Sequence, residues 1–471
     1  MPCFGALALS VDAGLVANQV VQCDAAGLGR FSMSGAAGAA GPVQARVMSG
    51  ETEVTPWTQI ATAENGVWQG AIEGVAAGGP YQVQVRVVDA AGAAVEEAAV
   101  ADVLVGDLWI LAGQSNMQGV GNLAGAEEPD PRVHVFAMNR TWRVAKDPLH
   151  VLAESPDPIH FDAAKTPEER QAAIDAANAG PKGAGLGLPF AKEMVRRTNR
   201  PVGLLATGHG GTSMAQWDPA LRDQGGASLY GSMLTSVRAA GGVARGVIWY
   251  QGESDAGPEF VPVYREKLKA LVASIRADLA LPELPFYYVQ ISRFVHPDPS
   301  PETWNQIQME ELSVEPEIPN SAMVASIDLA LDDLIHVGTP GLKTLGFRLA
   351  SVAEHFLFGA PTLTGPRLEK IERVSAPEGE HLRVTFTNVN GGLQAQGRVS
   401  GFDLNTGPTP EPVQAIYKQE IAPDNPNAVL LWISKWPDTP HLWYGWGLNP
   451  YCNLVDAANM AVPAFGPIPV P

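Results

Sequence analysis

Gly106-Asp107-Leu108-Trp109-Ile110-Leu111-Ala112-Gly113-Gln114-Ser115-Asn116-Met117 is the stretch on which the reading of the whole chain turns. The apolar run from Leu108 to Ala112 leaves no wet face, so it reads as a strand buried on both sides, the pattern of a parallel sheet. The run stops at Gly113, and a serine follows two residues later, where a helix or tight turn should begin. In open α/β sheets, sites gather at the carboxyl ends of strands. The first amides of a helix there can also hold developing negative charge. Ser115 is therefore a candidate nucleophile, although the junction taken alone reads more simply as a serine capping a helix.

Working outward, runs of the same kind recur at Val133 to Met138, Val202 to Ala206, Val247 to Tyr250, Phe286 to Ile291 and Met323 to Ile327. Helical patterns lie between them. In Phe260 to Leu279, the residues Val261, Tyr264, Leu268, Leu271 and Ile275 fall at spacings of three and four and make one apolar stripe. A second helix is expected from Pro340 to about Leu357. Alternating strands and helices predict an α/β fold, a doubly wound parallel sheet, over residues 105–359. Residues 1–104 instead show short alternating segments, clearest in Tyr81 to Val87, with others at Val43 to Val47, Thr58 to Ala61 and Val67 to Ile72. They predict a small β-sandwich-like domain. Short strands return in 360–471 (Leu368 to Val374, Leu382 to Thr387, Val429 to Ile433), as a C-terminal β-rich domain or a completion of the first sandwich.

Composition bounds the partners. Of 471 residues, 46% are hydrophobic and 17% charged, enough for packed cores and too little charge for disorder. The 49 Gly and 39 Pro suit short strands joined by turns. A net charge of −19 argues against a nucleic-acid or anionic-membrane partner, since phosphate binding needs clustered Lys and Arg. No run approaches the roughly 20 apolar residues of a spanning helix. Three cysteines, Cys3, Cys23 and Cys452, without a CxxC pattern, exclude a disulfide scaffold and a thiolate zinc site. A Cys3–Cys23 bridge is the alternative to three free thiols. The first basic residue is Arg30, so the N-terminus lacks a signal peptide's charged region. The expectation is an intracellular chain, or a secreted or periplasmic one whose signal has been removed.

Three further segments bring catalytic residue types to strand ends: Gly208-His209-Gly210-Gly211-Thr212-Ser213, Trp249-Tyr250-Gln251-Gly252-Glu253-Ser254 and Asp333-Leu334-Ile335-His336. Together with Gly113-Gln114-Ser115-Asn116-Met117, they resemble, in the same order, the motifs of the SGNH hydrolase superfamily. The likeness is to its carbohydrate-esterase branch, which includes sialate O-acetylesterases and acetyl xylan esterases. Gly183 to Lys192 is similar to the branch's glycine-rich helix entry, and Tyr444 to Pro450 with Asn453-Leu454 to the terminal segment of its sialate-esterase-like members. Val337 stands where the family's DxxHP motif has proline, which puts the local turn in doubt but not the chemistry.

Ester hydrolysis through a serine needs a base, an orienter for that base, and donors for the tetrahedral oxyanion. The resemblance implies a flavodoxin-like wound sheet and the triad Ser115, His336 and Asp333. A histidine suits proton shuttling near neutral pH, and a carboxylate three residues earlier can take its other ring N–H. Asp332 is the alternative orienter. Asp157-Pro158-Ile159-His160 also spells DxxH, but in a Pro-rich stretch with no buried strand before it. For the oxyanion, the resemblance implies the Ser115 N–H, a glycine N–H from Gly210 or, preferably, Gly211, and the side-chain amide of Gln251, whose plainer reading is a strand-end cap. Glu253 is read as supporting His336, bonding the oxyanion loop or capping a helix. Asn116 joins it as a supporting candidate. Trp217 and Trp249 are candidates to stack on a sugar, against a core role, and His209 to line the pocket, against a structural one.

The expected substrate is an acetylated sugar or polysaccharide, with no cofactor. Gly183 to Gly187 fails GxGxxG because position 188 is Leu, and no clear strand precedes it, so a dinucleotide site is not expected. The nine histidines include no HExxH, so no metal site is expected either. The rival readings are a broader lipase- or thioesterase-like hydrolase, and an inactive carbohydrate-binding protein.

Overall fold

The computed structural model describes residues 8–162, 165–297, 300–377, 379–407 and 412–471. Its organising element is one long strand, β1 (Ala94–Gly113). The first half alternates between wet and dry residues, and from Val103 onward every residue is buried. The partners change with the pattern. Early residues pair antiparallel with the strand Gly78–Val88, and later ones lie in the middle of a parallel sheet.

That sheet is formed by β1 with β2 (Val133–Phe136), β3 (Trp142–Val144), β4 (Val202–Ala206), β5 (Gly246–Tyr250), β6 (Phe286–Val289) and β7 (Ser321–Val324). Its order is β3-β2-β4-β1-β5-β6-β7. All neighbours are parallel except the edge pair β2/β3. The chain is thus mixed α/β, with a large, mostly parallel central sheet and further β-rich regions. The apolar runs mark the right strands but overshoot their ends, because the residues after Phe136, Val289 and Val324 leave the ladder and still stay buried.

Helices cover both faces, as adjacent residues on β6 show. The Tyr287 ring stacks on Phe356, with centroids 5.9 Å apart, whereas the Tyr288 hydroxyl donates to the Glu311 carbonyl at 2.7 Å. Consecutive strand residues point to opposite faces, so the two helices involved lie on opposite sides of the sheet. On the Tyr287 side, the helix Gly187–Thr198 sets Phe190 edge-on against Trp109 at 4.9 Å. The helix Thr339–Phe358 crosses it so closely that a Cβ on Gly346 would lie 2.6 Å from the Phe190 nitrogen. On the other side, the helix Val261–Asp278 buries the expected stripe, with Val272 added. Burying a large apolar side chain contributes about 1.5–3 kcal/mol, so the central layer is the main store of stability.

Each β-rich region has an apolar cluster of its own. In the N-terminal one, Phe31, Met33, Trp68 and Ile72 from the pair Leu28–Ala36/Val67–Ala76 face Val43, Val47, Val83 and Val85 from the neighbouring sheet. In the C-terminal one, Leu382, Val384, Val429 and Leu431 face Phe402, Leu404, Leu442 and Phe465. Its last strand is tied to the centre by Gln290, whose amide donates to the Ala464 carbonyl and accepts from the Ala464 N–H. Cys23 and Cys452 are buried free thiols, and burial pushes Cys23 up to about 12. Cys3, the other half of the bridge considered above, lies outside the described residues.

One backbone position decides how β1 ends. Gly113 has φ +133°, and a Cβ there would lie 2.2 Å from the Tyr250 carbonyl oxygen. Only glycine tolerates both the angle and the approach. Gly113→Ala is therefore expected to lower unfolding free energy by about 2 kcal/mol or more. An unchanged urea midpoint would contradict the close packing of β1 on β5.

Candidate active site

The end of β1 is gripped from both sides. The Gln114 N–H donates to the Tyr250 carbonyl at 2.8 Å, and the His209 N–H to the Gly113 carbonyl at 2.9 Å. The loops after β4 and β5 therefore flank Ser115. Ser115 opens a four-residue helix, Ser115–Gln118, but is not its cap. Gln114 occupies that position, with no side-chain capping bond. The Ser115 hydroxyl has no hydrogen-bond partner among the described residues and is not sealed from solvent. The simple capping reading is thus replaced by an unengaged, half-buried hydroxyl at a strand end.

His336 comes from beyond β7, two strands further along the sheet than β5. A tight loop returns it, closed by Asp332 N–H to His336 carbonyl and Gly338 N–H to Ala330 carbonyl, both at 2.8 Å. Asp333 holds the ring, with both carboxylate oxygens 2.9 Å from Nδ1. It also accepts the backbone N–H groups of Ile335 and His336, and Lys182 Nζ at 2.8 Å. Burial alone would raise the Asp333 carboxyl, but the Lys182, His336 and backbone hydrogen bonds outweigh it and hold it well below the usual carboxylate range. Asp332 is engaged elsewhere, accepting from the Asn122 and Thr339 N–H groups. The ring partner is Asp333. A proton on Nδ1 leaves Nε2 with a lone pair, and Nε2 has no partner among the described residues.

Asn116 joins the two halves. Its Oδ1 accepts the Val337 N–H at 3.0 Å, and its Nδ2 lies 3.5 Å from the Ile335 carbonyl. The residue after Ser115 thus holds both neighbours of His336. Nδ2 also donates to Glu253 Oε1 at 2.7 Å. Glu253 is buried, and desolvation raises its pKa despite the Asn116 bond and the attraction of His336. Its side-chain carboxylate thus meets Asn116, which in turn bonds the residues on either side of His336.

Two sets of candidates are corrected. Gln251 is 0% exposed, and its amide nitrogen is spent on the Thr212 carbonyl at 3.0 Å and Asp255 Oδ2 at 2.5 Å. It holds the glycine loop instead of facing Ser115. The amide nitrogen of Gln114, whose oxygen accepts from the Ser254 N–H, has no partner among the described residues. Trp217 and Trp249 are 0% and 1% exposed and pack edge to face at 5.3 Å, so neither offers a face to a sugar. Tyr250 is equally buried. Trp217 instead donates to Thr212 Oγ1, which donates to the His209 carbonyl.

The glycines separate as well. A Cβ on Gly210 would lie 3.3 Å from Ser115 Cβ, but its N–H is taken by Gln118 Oε1 at 2.7 Å. The Gly211 N–H has no acceptor among the described residues, its φ is +69°, and nothing lies within 4 Å of its Cβ position. Lys182 and Gln118 carried no motif signal. Asp157 and His160 lie close by, since His160 contacts His209 at 3.0 Å. Asp157 makes no direct hydrogen bond to the His160 ring, however, because Ser232 Oγ stands between them, so this DxxH does not repeat the Asp333–His336 pairing. Lys182–Ala184 is a short strand before the helix Gly187–Thr198, paired with Gly121–Asn122 and outside the central sheet. Among the described residues, no group of three His, Cys, Asp or Glu side chains is arranged to hold a metal.

A family model described as carbohydrate esterase, sialic acid-specific acetylesterase, matches residues 105–355. The chain is 27% identical over 207 residues to a probable carbohydrate esterase of Arabidopsis thaliana, covering 39% of this chain and 68% of that one. It is 24% identical over 357 residues to the sialate O-acetylesterase of Pongo abelii, covering 66% of this chain and 64% of the relative, so somewhat less than two thirds of that protein is spanned. A solved carbohydrate acetylesterase from Xanthomonas citri shares the fold at TM-score 0.67 and 24% identity, covering 97% of this chain and 98% of its own.

His150, beneath this loop system, yields a pH test. Burial pushes it down to about 4, although its Nδ1 donates to the Gln118 carbonyl at 3.0 Å. Below pH 6.5 the unfolded chain binds a proton here that the folded chain refuses, so stability falls as pH drops from about 6.5 toward 4, by on the order of 1–3 kcal/mol. Urea midpoints at pH 7 and pH 5 should converge in His150→Leu relative to the wild type; an unchanged difference would refute the buried neutral imidazole.

Proposed function

The chain belongs to the carbohydrate esterase, sialic acid-specific acetylesterase family, a family of esterases, and on that premise we propose that it removes acetyl groups from sugars through Ser115, His336 and Asp333. The observation that carries the reading is the Asn116 bridge, which ties the Asp333-oriented His336 loop to the Ser115 turn. In the proposed reaction, His336 Nε2 takes the proton as Ser115 Oγ attacks the acetyl carbonyl. The same nitrogen then returns the proton to the leaving sugar oxygen, and water repeats the sequence on the acyl-enzyme. Asp333 keeps Nδ1 protonated and stabilises the imidazolium. The Ser115 and Gly211 N–H groups are the proposed oxyanion donors, because neither has an acceptor among the described residues. Gln251 contributes by fixing the glycine loop through Thr212. A small acyl group on a sugar alcohol is the proposed substrate class.

A fluorophosphonate probe should label Ser115 alone. Ser115→Ala and His336→Ala should each lower acetate release by about 10³-fold or more with unfolding midpoints near wild type. Labelling at Ser213 or Ser254 would sink the assignment.

Asn116→Ala is expected to cost roughly 10- to 100-fold in kcat, because misplacing the base by about 1 Å is enough for such a loss. Activity should survive EDTA dialysis. Among acyl chains, acetate should be preferred to butyrate and octanoate, with acetylated sugars better substrates than aryl acetates. Preference for octanoate would favour a lipase-like enzyme instead.

A further inference from the structure

Under the loop from Gly208 to Gly211 runs a buried polar chain that the proposed chemistry does not use. Arg140 and Ser232 Oγ both donate to Asp157 Oδ2 at 2.5 Å. His160 Nε2 lies 3.0 Å from Ser232 Oγ, and His160 Nδ1 lies 3.0 Å from His209 Nδ1. The two rings are 5.1 Å apart between centroids and inclined by 24°, the near-coplanar arrangement that an in-plane N–H···N bond requires.

Proton bookkeeping along this chain has one solution. The Asp157 carboxylate only accepts, so Ser232 gives it its single hydrogen and must accept from His160 Nε2–H. His160 is buried, and desolvation, with the charges of His209, His150 and Arg140 adding, pushes it down to about 3. It is therefore neutral, with its one proton on Nε2 and a lone pair on Nδ1. The contact between the rings is then a hydrogen bond only if His209 donates from Nδ1. Burial also lowers His209 below its usual value, so its Nε2 carries a lone pair. That nitrogen has no partner among the described residues and is not sealed from solvent. The His209 backbone is pinned to Gly113, and the next residue lies against Ser115.

From this geometry we propose that His209 is a specificity-determining residue, locked in the Nδ1–H tautomer so that Nε2 accepts a hydrogen bond from the free hydroxyl beside the acetyl group on the sugar. The proposal rests on the acetylated-sugar reading above and adds which residue distinguishes a hydroxyl from a blocked neighbour. A free histidine exchanges tautomers and would serve donors and acceptors alike. The Asp157–Ser232–His160 chain removes that freedom, so a methyl ether or a second acetyl at the neighbouring position meets a lone pair with no hydrogen to offer it.

Two measurements test this. In ¹⁵N NMR of histidine-labelled protein, His209 should show a protonated Nδ1 and an unprotonated Nε2. Ser232→Ala, which removes the acceptor for His160, should mix the tautomers. An Nε2-protonated His209 in the wild type would overturn the proposal. The second measurement is kcat/KM for a mono-O-acetylated sugar and for its analogue with the adjacent hydroxyl O-methylated. Methylation on the wild type, and His209→Phe on the parent sugar, should each lower kcat/KM about tenfold. Together they should cost no more than either alone, because both remove one bond. His209→Gln, which keeps an acceptor oxygen, should recover part of the loss and serves if the Phe variant does not fold. Multiplying effects, or indifference of the wild type to methylation, would refute the role of His209. Wild-type activity on aryl acetate with none on any acetylated sugar is a different failure, one that removes the acetylated-sugar reading and this proposal with it.

Discussion

The Ser115 and His336 segments are joined by one side chain, the amide of Asn116. It accepts the Val337 N–H and reaches the Ile335 carbonyl, on either side of His336, from a position 221 residues earlier than Val337. β5 and β6 separate the strand before Ser115 from the strand before His336. A loop crossing that distance has many conformations, and holding it in one opposes a backbone entropy of about 1–2 kcal/mol per residue. The amide offsets part of this at the point where position matters most. Glu253 completes the arrangement by fixing the Asn116 nitrogen, at the cost of keeping a carboxyl group in a desolvated place.

The strand Ala94–Gly113 supplies the rigid base. It pairs with the N-terminal strands at one end and with the central strands at the other, so both regions share one backbone. Where it enters the centre, Asp107 is almost fully buried, with Arg245 3.3 Å and Arg200 3.8 Å away and the Gln22 amide at 3.1 Å. A buried carboxylate is tolerated only with such partners. At the other end Gly113 lets β1 and β5 approach until no side chain fits between them. Ser115 is therefore presented by a strand restrained at both ends.

Around that base the glycine loop is held from below by polar contacts. Gln251 binds the Thr212 carbonyl, Gln118 binds the Gly210 N–H, and Trp217 reaches Thr212 and, through it, the His209 carbonyl. Each is buried or half-buried, where a hydrogen bond left unmade costs about 1–3 kcal/mol. The loop is thus pre-organised, with the Gly211 N–H as the donor left over. Such pre-organisation suits the oxyanion role proposed for the loop, which needs dipoles already aimed at the developing charge.

The central strands, the amphipathic helix after Phe260 and the four motif segments were legible in the sequence, because burial on both faces and a 3.6-residue period leave local signatures. So was an aspartate partner for His336, since Asp332 and Asp333 both precede it on one tight turn. What the sequence left open was decided by contacts between distant segments. Asp332 and Asp333 are indistinguishable by type, yet only folding turns one toward Asn122 and the other toward the ring. Gln251 and the tryptophans carry the right chemistry for a site, but side-chain direction depends on which neighbour claims each hydrogen bond and each face, and the neighbours are Thr212, Asp255 and one another. The same rule explains why Asp157 and His160, a match to the motif by spelling, lie beneath the site and not in it. Local pattern determines which elements form and which residues end them; where a polar group points is settled only when the tertiary structure brings its partners within hydrogen-bonding distance.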